Sequence, residues 1–256
     1  MTDRARALTL QQVDFGYPGD TPILQGASLS LAPGDFHCLV GRSGCGKTTL
    51  LKIAAGLLRP TAGRVRIGDR VLDGPSRQIG FVFQTPSLLE WRSVLDNVLL
   101  PISLRRRVSA ADQARAMGLL ELMGIAEHAH RYPCQMSGGQ QSRVSLARAL
   151  VTEPPFLLMD EPFAAVDAIT REDLQNDLLR LTRAQGTTVL FVTHDIAEAV
   201  YLSSHVSVMQ SGRITRSLAI DVPQSAAQDR RYYPQAIRQC EEIKAALAPS
   251  ERAMTP

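Results

Sequence analysis

"FHCLVGRSGCGKTTLLKIAAGLL", residues 36–58, runs from an apolar stretch through a glycine-rich loop into a helical pattern. Phe36–Val40 is an almost continuous apolar run, as expected of a strand covered on both faces. It delivers the chain directly into Gly41-x-x-x-x-Gly46-Lys47-Thr48, the P-loop pattern, in which successive backbone N–H groups wrap phosphate oxygens. Gly41, Arg42, Ser43, Gly44, Cys45, Gly46, Lys47, Thr48 and Thr49 are therefore the candidate nucleotide ligands. Lys47 would reach the β- and γ-phosphates, and the Thr48 hydroxyl would hold Mg²⁺.

Further along, "FLLMDEP" (156–162) is another buried-strand pattern with Asp160 at its C-terminal end, the edge where ligands bind in such sheets. Asp160 would act on Mg²⁺, and Glu161, one residue beyond, could polarise an attacking water. His194 ends the strand pattern "TVLFVTH" (188–194); a structural role and a γ-phosphate contact are both open at such a position. Gln84, at the end of "IGFVFQ", has a neutral side chain able to contact Mg²⁺ or water. Tyr17, before a Pro-Gly turn, reads equally as a hairpin aromatic or as a stacking surface for adenine. A second phosphate cradle complicates the picture. In "PCQMSGGQQSRVSLARAL" (133–150), Ser137, Gly138 and Gly139 open a helix whose first amides would attract an anion.

Strand and helix patterns alternate around these motifs, which predicts a parallel α/β core. Hairpin signals occur at 8–31 and 64–72, and the pattern turns helical from about residue 85 to 150, with Ser109 as a helix cap. Ile237, Cys240, Ile243 and Leu247 are spaced to line one side of a final helix. Composition narrows the function classes. The 28 basic and 25 acidic residues leave a net charge of +3, spread without a nucleic-acid stripe. Arg105–Arg107 reads as a solvated loop. No apolar stretch approaches the roughly 18 residues of a membrane span, and the N-terminus lacks a signal-peptide core. Cys38, Cys45, Cys134 and Cys240 have neither close pairing nor metal spacing, the pattern of free thiols in a cytosolic protein.

These elements, in this order, resemble the ATPase subunit of an ATP-binding cassette (ABC) transporter, over nearly the whole chain up to about Ile214. "MSGGQ" resembles the family's signature motif, "FAAVD" its D-loop, Gln84 its Q-loop, His194 its switch histidine and Tyr17 its A-loop aromatic. The resemblance implies a P-loop NTPase core with an antiparallel β subdomain and an inserted helical subdomain at about 85–150, the cassette ending near residue 220 before a short helical extension (221–256). It implies ATP and Mg²⁺ as ligands and two ATPase subunits packed head to tail, identical or paired. Each nucleotide would then meet the partner's Ser137, Gly138, Gly139 and Gln140, with Asp167 nearby. The second cradle would serve the other chain's nucleotide.

More narrowly, "FVFQTPSLLEWRSVLDNVLLP", "LMDEPFAAVDAITRE" and "VTHDIAEAVYLSSHV" resemble ATPases of nitrate, sulfonate and taurine importers and of relatives serving pyrimidine-type precursors. This implies two membrane permease subunits, an external solute-binding protein, no nucleic acid, and a position on the cytoplasmic face of the membrane. Leu88, Leu89, Trp91 and Arg92 would receive the permease. Met136, Glu90, Ser142 and Val166 depart mildly from the family pattern, and none removes a catalytic group. The competing classes are an ABC subunit serving export or lipid traffic, and a soluble ABC ATPase acting in DNA repair or translation.

Overall fold

The computed structural model describes residues 7–222 and 230–248. In chain order the strands are β1 (Leu8–Phe15), β2 (Leu24–Leu31), β3 (Phe36–Gly41), β4 (Ala62–Ile67), β5 (Arg70–Val71), β6 (Ile79–Val82), β7 (Phe156–Asp160), β8 (Thr188–Thr193), β9 (His205–Gln210) and β10 (Arg213–Ala219). The helices are α1 (Lys47–Ala54), α2 (Val94–Ser103), α3 (Ala110–Leu122), α4 (Gly138–Leu150), α5 (Ala168–Gln185), α6 (Ile196–Leu202) and α7 (Pro234–Leu247). Contacts divide the chain into two compact units, Ser76–Val189 and, among the described residues, 7–75 with 190–248.

The second of these contains an antiparallel sheet in the order β2-β1-β4-β5 and a further sheet in the order β10-β9-β3-β8. β1 buries alternate residues at both ends, but the alternation breaks at Gln11 and Gln12. A bulge between Leu10 and Val13, with Gln12 at φ +48°, absorbs the extra residue and returns Val13 to the core. β3 pairs in parallel with β9, and all six of its residues are buried. Continuous burial is what its apolar run demands.

One polar network interrupts this core. His37 of β3 lies opposite His205 of β9, their rings 5.7 Å apart and nearly parallel, and His37 Nε2 sits 2.8 Å from Ser207 Oγ. Ser207 Oγ in turn lies 2.7 Å from Ser217 Oγ. Burial, reinforced by the neighbouring His205, lowers the His37 pKa from 6.5 to about 4. The folded chain therefore keeps this ring neutral where the unfolded chain takes up a proton. The associated stability is complete above pH 6.5 and is lost as pH falls toward 4, by about 3 kcal/mol in all. Urea titrations of the wild type and His37→Val at pH 7.5 and 4.5 should show the larger acid loss in the wild type; equal losses would contradict this.

The other unit contains strands in the order β8-β7-β6, β8 being shared because the division falls within it. Its helices α2, α3 and α4 pack on one another, and α4 also contacts β6. Ser109 caps α3 in a capping box with Asp112. Arg105–Arg107 is an exposed turn, as the sequence suggests, and within it the Arg106 guanidinium also forms a bidentate pair with the buried Asp112 carboxylate at 2.6 and 2.8 Å. Hydrogen bonds from Arg106 and then from Ser109 hold the Asp112 carboxyl far below the usual carboxylate range. At the C-terminal end α7 buries Ala236 and Ile243, whereas Ile237 is 52% exposed. The stripe on α7 thus begins one residue earlier than the apolar spacing predicts.

Candidate active site

The P-loop lies between β3 and α1, in the same unit as Tyr17 and His194. Gly41 must be glycine: a Cβ there would meet Met209 O at 2.5 Å and Cys45 Sγ at 2.6 Å. Gly46, the residue before α1, adopts φ +104°, which favours glycine, and lets the chain turn into the helix. No acidic residue stands in the first turn of α1, so the helix presents its positive end uncompensated. Lys47 is buried and folds over the loop, donating from Nζ to Gly41 O at 2.8 Å and Arg42 O at 3.1 Å. An ammonium carries three donors, which leaves one for a phosphate oxygen.

Cys45 is half-buried in the loop, its carbonyl accepting from the Gly212 N–H at 3.1 Å. Alkylation of Cys45 should inactivate the protein, and ATP should slow that inactivation. A Cys45→Ser variant inactivated as fast as wild type would assign the effect to another thiol.

Tyr17 is 54% exposed, its inner edge packed against Phe15 in a T-shaped pair with centroids 5.3 Å apart. It borders a cavity of about 620 Å³ lined also by Asp14, Gln25 and Arg213. Tyr17 is thus a partly exposed aromatic packed on Phe15. His194 is exposed at the end of β8, in a turn drawn tight by its neighbours. The Thr193 hydroxyl donates to Glu198 Oε2 at 2.5 Å and accepts from the Asp195 N–H at 3.0 Å, while Asp195 caps α6.

The Ser76–Val189 unit carries Gln84, Ser137–Gln140, Asp160, Glu161 and Asp167. Asp160 is 4% exposed at the end of a wholly buried β7. Glu161 follows at φ +45°, a left-handed conformation that costs a side-chain-bearing residue energy. Asp167 caps α5, accepting from the Thr170 N–H at 3.0 Å, and that bond lowers its pKa. Ser137 caps α4 in a box with Gln140. Gly138 and Gly139 lie against the segment before Asp167, where a Cβ on Gly139 would come within 3.4 Å of Ala165 O. The signature-like helix start and the D-loop-like segment are therefore neighbours within one unit.

Gln84 is exposed two residues past β6, and the segment after it is pinned by two residues that sequence reading missed. Asn97, fully buried in α2, accepts from the Leu89 N–H at 2.8 Å and donates to the carbonyls of Leu89, Arg92 and Ser93. Arg148 of α4 donates to Pro86 O and Ser87 O, each at 2.9 Å. Burial lowers the Arg148 pKa, a cost its two carbonyl acceptors offset. An asparagine within the apolar "VLDNVLLP" was the available signal. Leu88, Leu89 and Arg92 are half-buried, while Trp91 is 74% exposed.

A family profile described as "ABC transporter" matches residues 24–164. The chain is 46% identical over 233 residues to the "Aliphatic sulfonates import ATP-binding protein SsuB 1" of Xanthomonas axonopodis pv. citri (strain 306), covering 90% of this chain and 92% of that one. It is 45% identical over 201 residues to the "Taurine import ATP-binding protein TauB" of Pseudomonas aeruginosa, covering 78% and 76%. A solved structure described as "Dimeric Structure of MJ0796, a Bacterial ABC Transporter Cassette" superposes with a TM-score of 0.77 at 33% identity, over 83% of this chain and 98% of that one. A second, of MJ0796 in "a post-hydrolysis state" with ADP and Pi, gives 0.76 at 32% identity over the same shares. A family profile over more than half of its length and relatives at 45–46% identity leave one conclusion: the chain belongs to the ABC transporter family of ATPases.

Proposed function

We propose that this chain is the ATP-hydrolysing subunit of an importer for a small solute, of the sulfonate or taurine class named in its relatives. Two such subunits, head to tail, would enclose ATP between the P-loop of one and Ser137–Gln140 of the other. In that arrangement Lys47 binds the β- and γ-phosphates, Tyr17 stacks on adenine, Glu161 takes the proton of the attacking water and His194 contacts the γ-phosphate. Residues 85–150 serve as the helical subdomain, and Asp167 lies at the shared interface.

Mg²⁺ would be held by oxygen donors of the kinds that Thr48, Asp160 and Gln84 supply, with phosphate and water completing its shell. When bound it supplies neutralisation of phosphate charge. Asp160, presented with its carboxylate at the end of a buried strand, suits that task.

The observation that carries the transport reading is a groove of about 420 Å³ in the Ser76–Val189 unit, lined by Phe81, Phe83, Leu100, Pro101 and Leu104 with Arg77 and Arg105. Leu104 is 76% exposed and Phe83 37% exposed, and nearby in sequence stands Trp91. Exposed aromatics with arginine are the composition of an interface anchor. Among the described residues no helix is long and apolar enough to cross a membrane, so the membrane path would belong to separate permease subunits docked at the cytoplasmic face. A tagged chain, extracted with Mg·ATP in mild detergent, should bring down a multi-span protein, and Leu104→Glu with Trp91→Glu should lose it while retaining ATP binding. Recovery of soluble partners alone would overturn the transport reading.

A further inference from the structure

We propose that His128 is a positioning residue for ATP hydrolysis, holding the Gln140 carboxamide in the one orientation that caps Ser137 and fixes the start of α4. The inference rests on the reading of Ser137–Gln140 as a contact for the partner's nucleotide. In the capping box the Ser137 N–H donates to Gln140 Oε1 at 3.0 Å, and the Gln140 N–H donates to Ser137 Oγ at 3.3 Å. A carboxamide can present either its oxygen or its NH₂ to Ser137 with almost the same shape, and only the oxygen accepts. The other end of this amide decides between them. Gln140 Nε2 lies 3.0 Å from Nε2 of His128, which ends the 3-10 turn Ala126–His128.

The amide NH₂ is a donor only, so His128 Nε2 offers its lone pair and the ring proton sits on Nδ1. Turning the amide over would set its NH₂ against the Ser137 N–H, losing the capping bond, and would set its oxygen against His128 Nε2, which would then have to take the ring proton from Nδ1. His128 is 9% exposed, and its Nδ1 is enclosed without a hydrogen-bond partner. Glu127 Oε1 stands 3.6 Å from the same Nε2, beyond hydrogen-bond length, so Gln140 keeps the lone pair. The segment carrying the ring is tied on its far side too. The first amides of α2, Val94 and Leu95, donate to Arg131 O and Ala129 O at 2.8 and 2.9 Å.

Steady-state ATPase kinetics of His128→Leu, His128→Gln, Gln140→Ala and the double variant His128→Leu/Gln140→Ala test the proposal. His128→Leu should lower kcat roughly three- to tenfold, the worth of one neutral hydrogen bond, with KM for ATP within about twofold of wild type. His128→Gln should recover most of the rate, because its amide terminus can place an oxygen where Nε2 stands. Gln140→Ala should lose at least as much as His128→Leu, and the double variant no more than Gln140→Ala alone. Wild-type kcat in His128→Leu, or losses that multiply in the double variant, would overturn the proposal. Should His128→Leu fail to fold, ¹⁵N NMR of the wild-type imidazole decides: an Nδ1–H tautomer supports the account and an Nε2–H tautomer overturns it. Ser137→Arg separates the two claims. Full activity there would sink the nucleotide contact itself, whereas an inactive Ser137→Arg beside an unimpaired His128→Leu would sink only the role of His128.

Discussion

Glu161→Gln is expected to bind Mg·ATP with near wild-type affinity, to lose at least about a hundredfold in turnover, and to accumulate as an ATP-bound dimer. The carboxamide keeps the shape of the side chain but cannot take a proton from water. Binding should be spared because, in the proposed arrangement, the phosphates are gripped by the P-loop amides and Lys47 rather than by Glu161. Glu161 directly follows the buried Asp160 at the end of β7, the edge of the sheet where the phosphates would lie. Phosphate release and size-exclusion chromatography with and without ATP check both halves. Turnover near wild type would remove Glu161 as the base.

Ser137→Arg should abolish hydrolysis on its own, by roughly a hundredfold or more if the helix start stabilises phosphate charge during reaction. A guanidinium at the cap of α4 removes the hydroxyl that accepts from Gln140 and fills the space beside two glycines that pack near Ala165. The informative experiment mixes it with a Lys47→Ala chain. A head-to-tail dimer of the two carries one composite site that is whole, the P-loop of the Ser137→Arg chain facing the α4 start of its partner. Vanadate trapping should therefore return to about one nucleotide per mixed dimer, a stoichiometry that neither variant reaches alone. No recovery in the mixture would place both cradles in the same chain's service.

The ease with which these residues were found differs along the chain for physical reasons. The P-loop and the β7 end were legible because phosphate chemistry demands fixed residue types at fixed spacing, and because wholly buried strands such as β3 and β7 write themselves as apolar runs. The hairpin β1 was legible in outline, but the bulge at Gln12 was not, since one extra residue leaves no compositional mark. The exposed turn at Arg105–Arg107 was legible, but the pairing of Arg106 was not, because a charge run says nothing of a carboxylate six residues on. Asn97 and Arg148 act on backbone carbonyls, which every residue carries, so no side-chain pattern announces their partners. His128 was passed over for a similar reason: its partner Gln140 is twelve residues away and is brought back by a short 3-10 turn.

Vectorial uptake tests the central claim most directly. The chain would be purified with its permease, reconstituted so that the ATPase faces added Mg·ATP, and presented on the opposite side with a solute-binding protein loaded with labelled taurine or an alkanesulfonate. The account predicts ATP-dependent accumulation of label on the ATPase side with the wild type and none with Glu161→Gln. Hydrolysis without movement of label, or ATP-driven movement in the opposite direction, would contradict it.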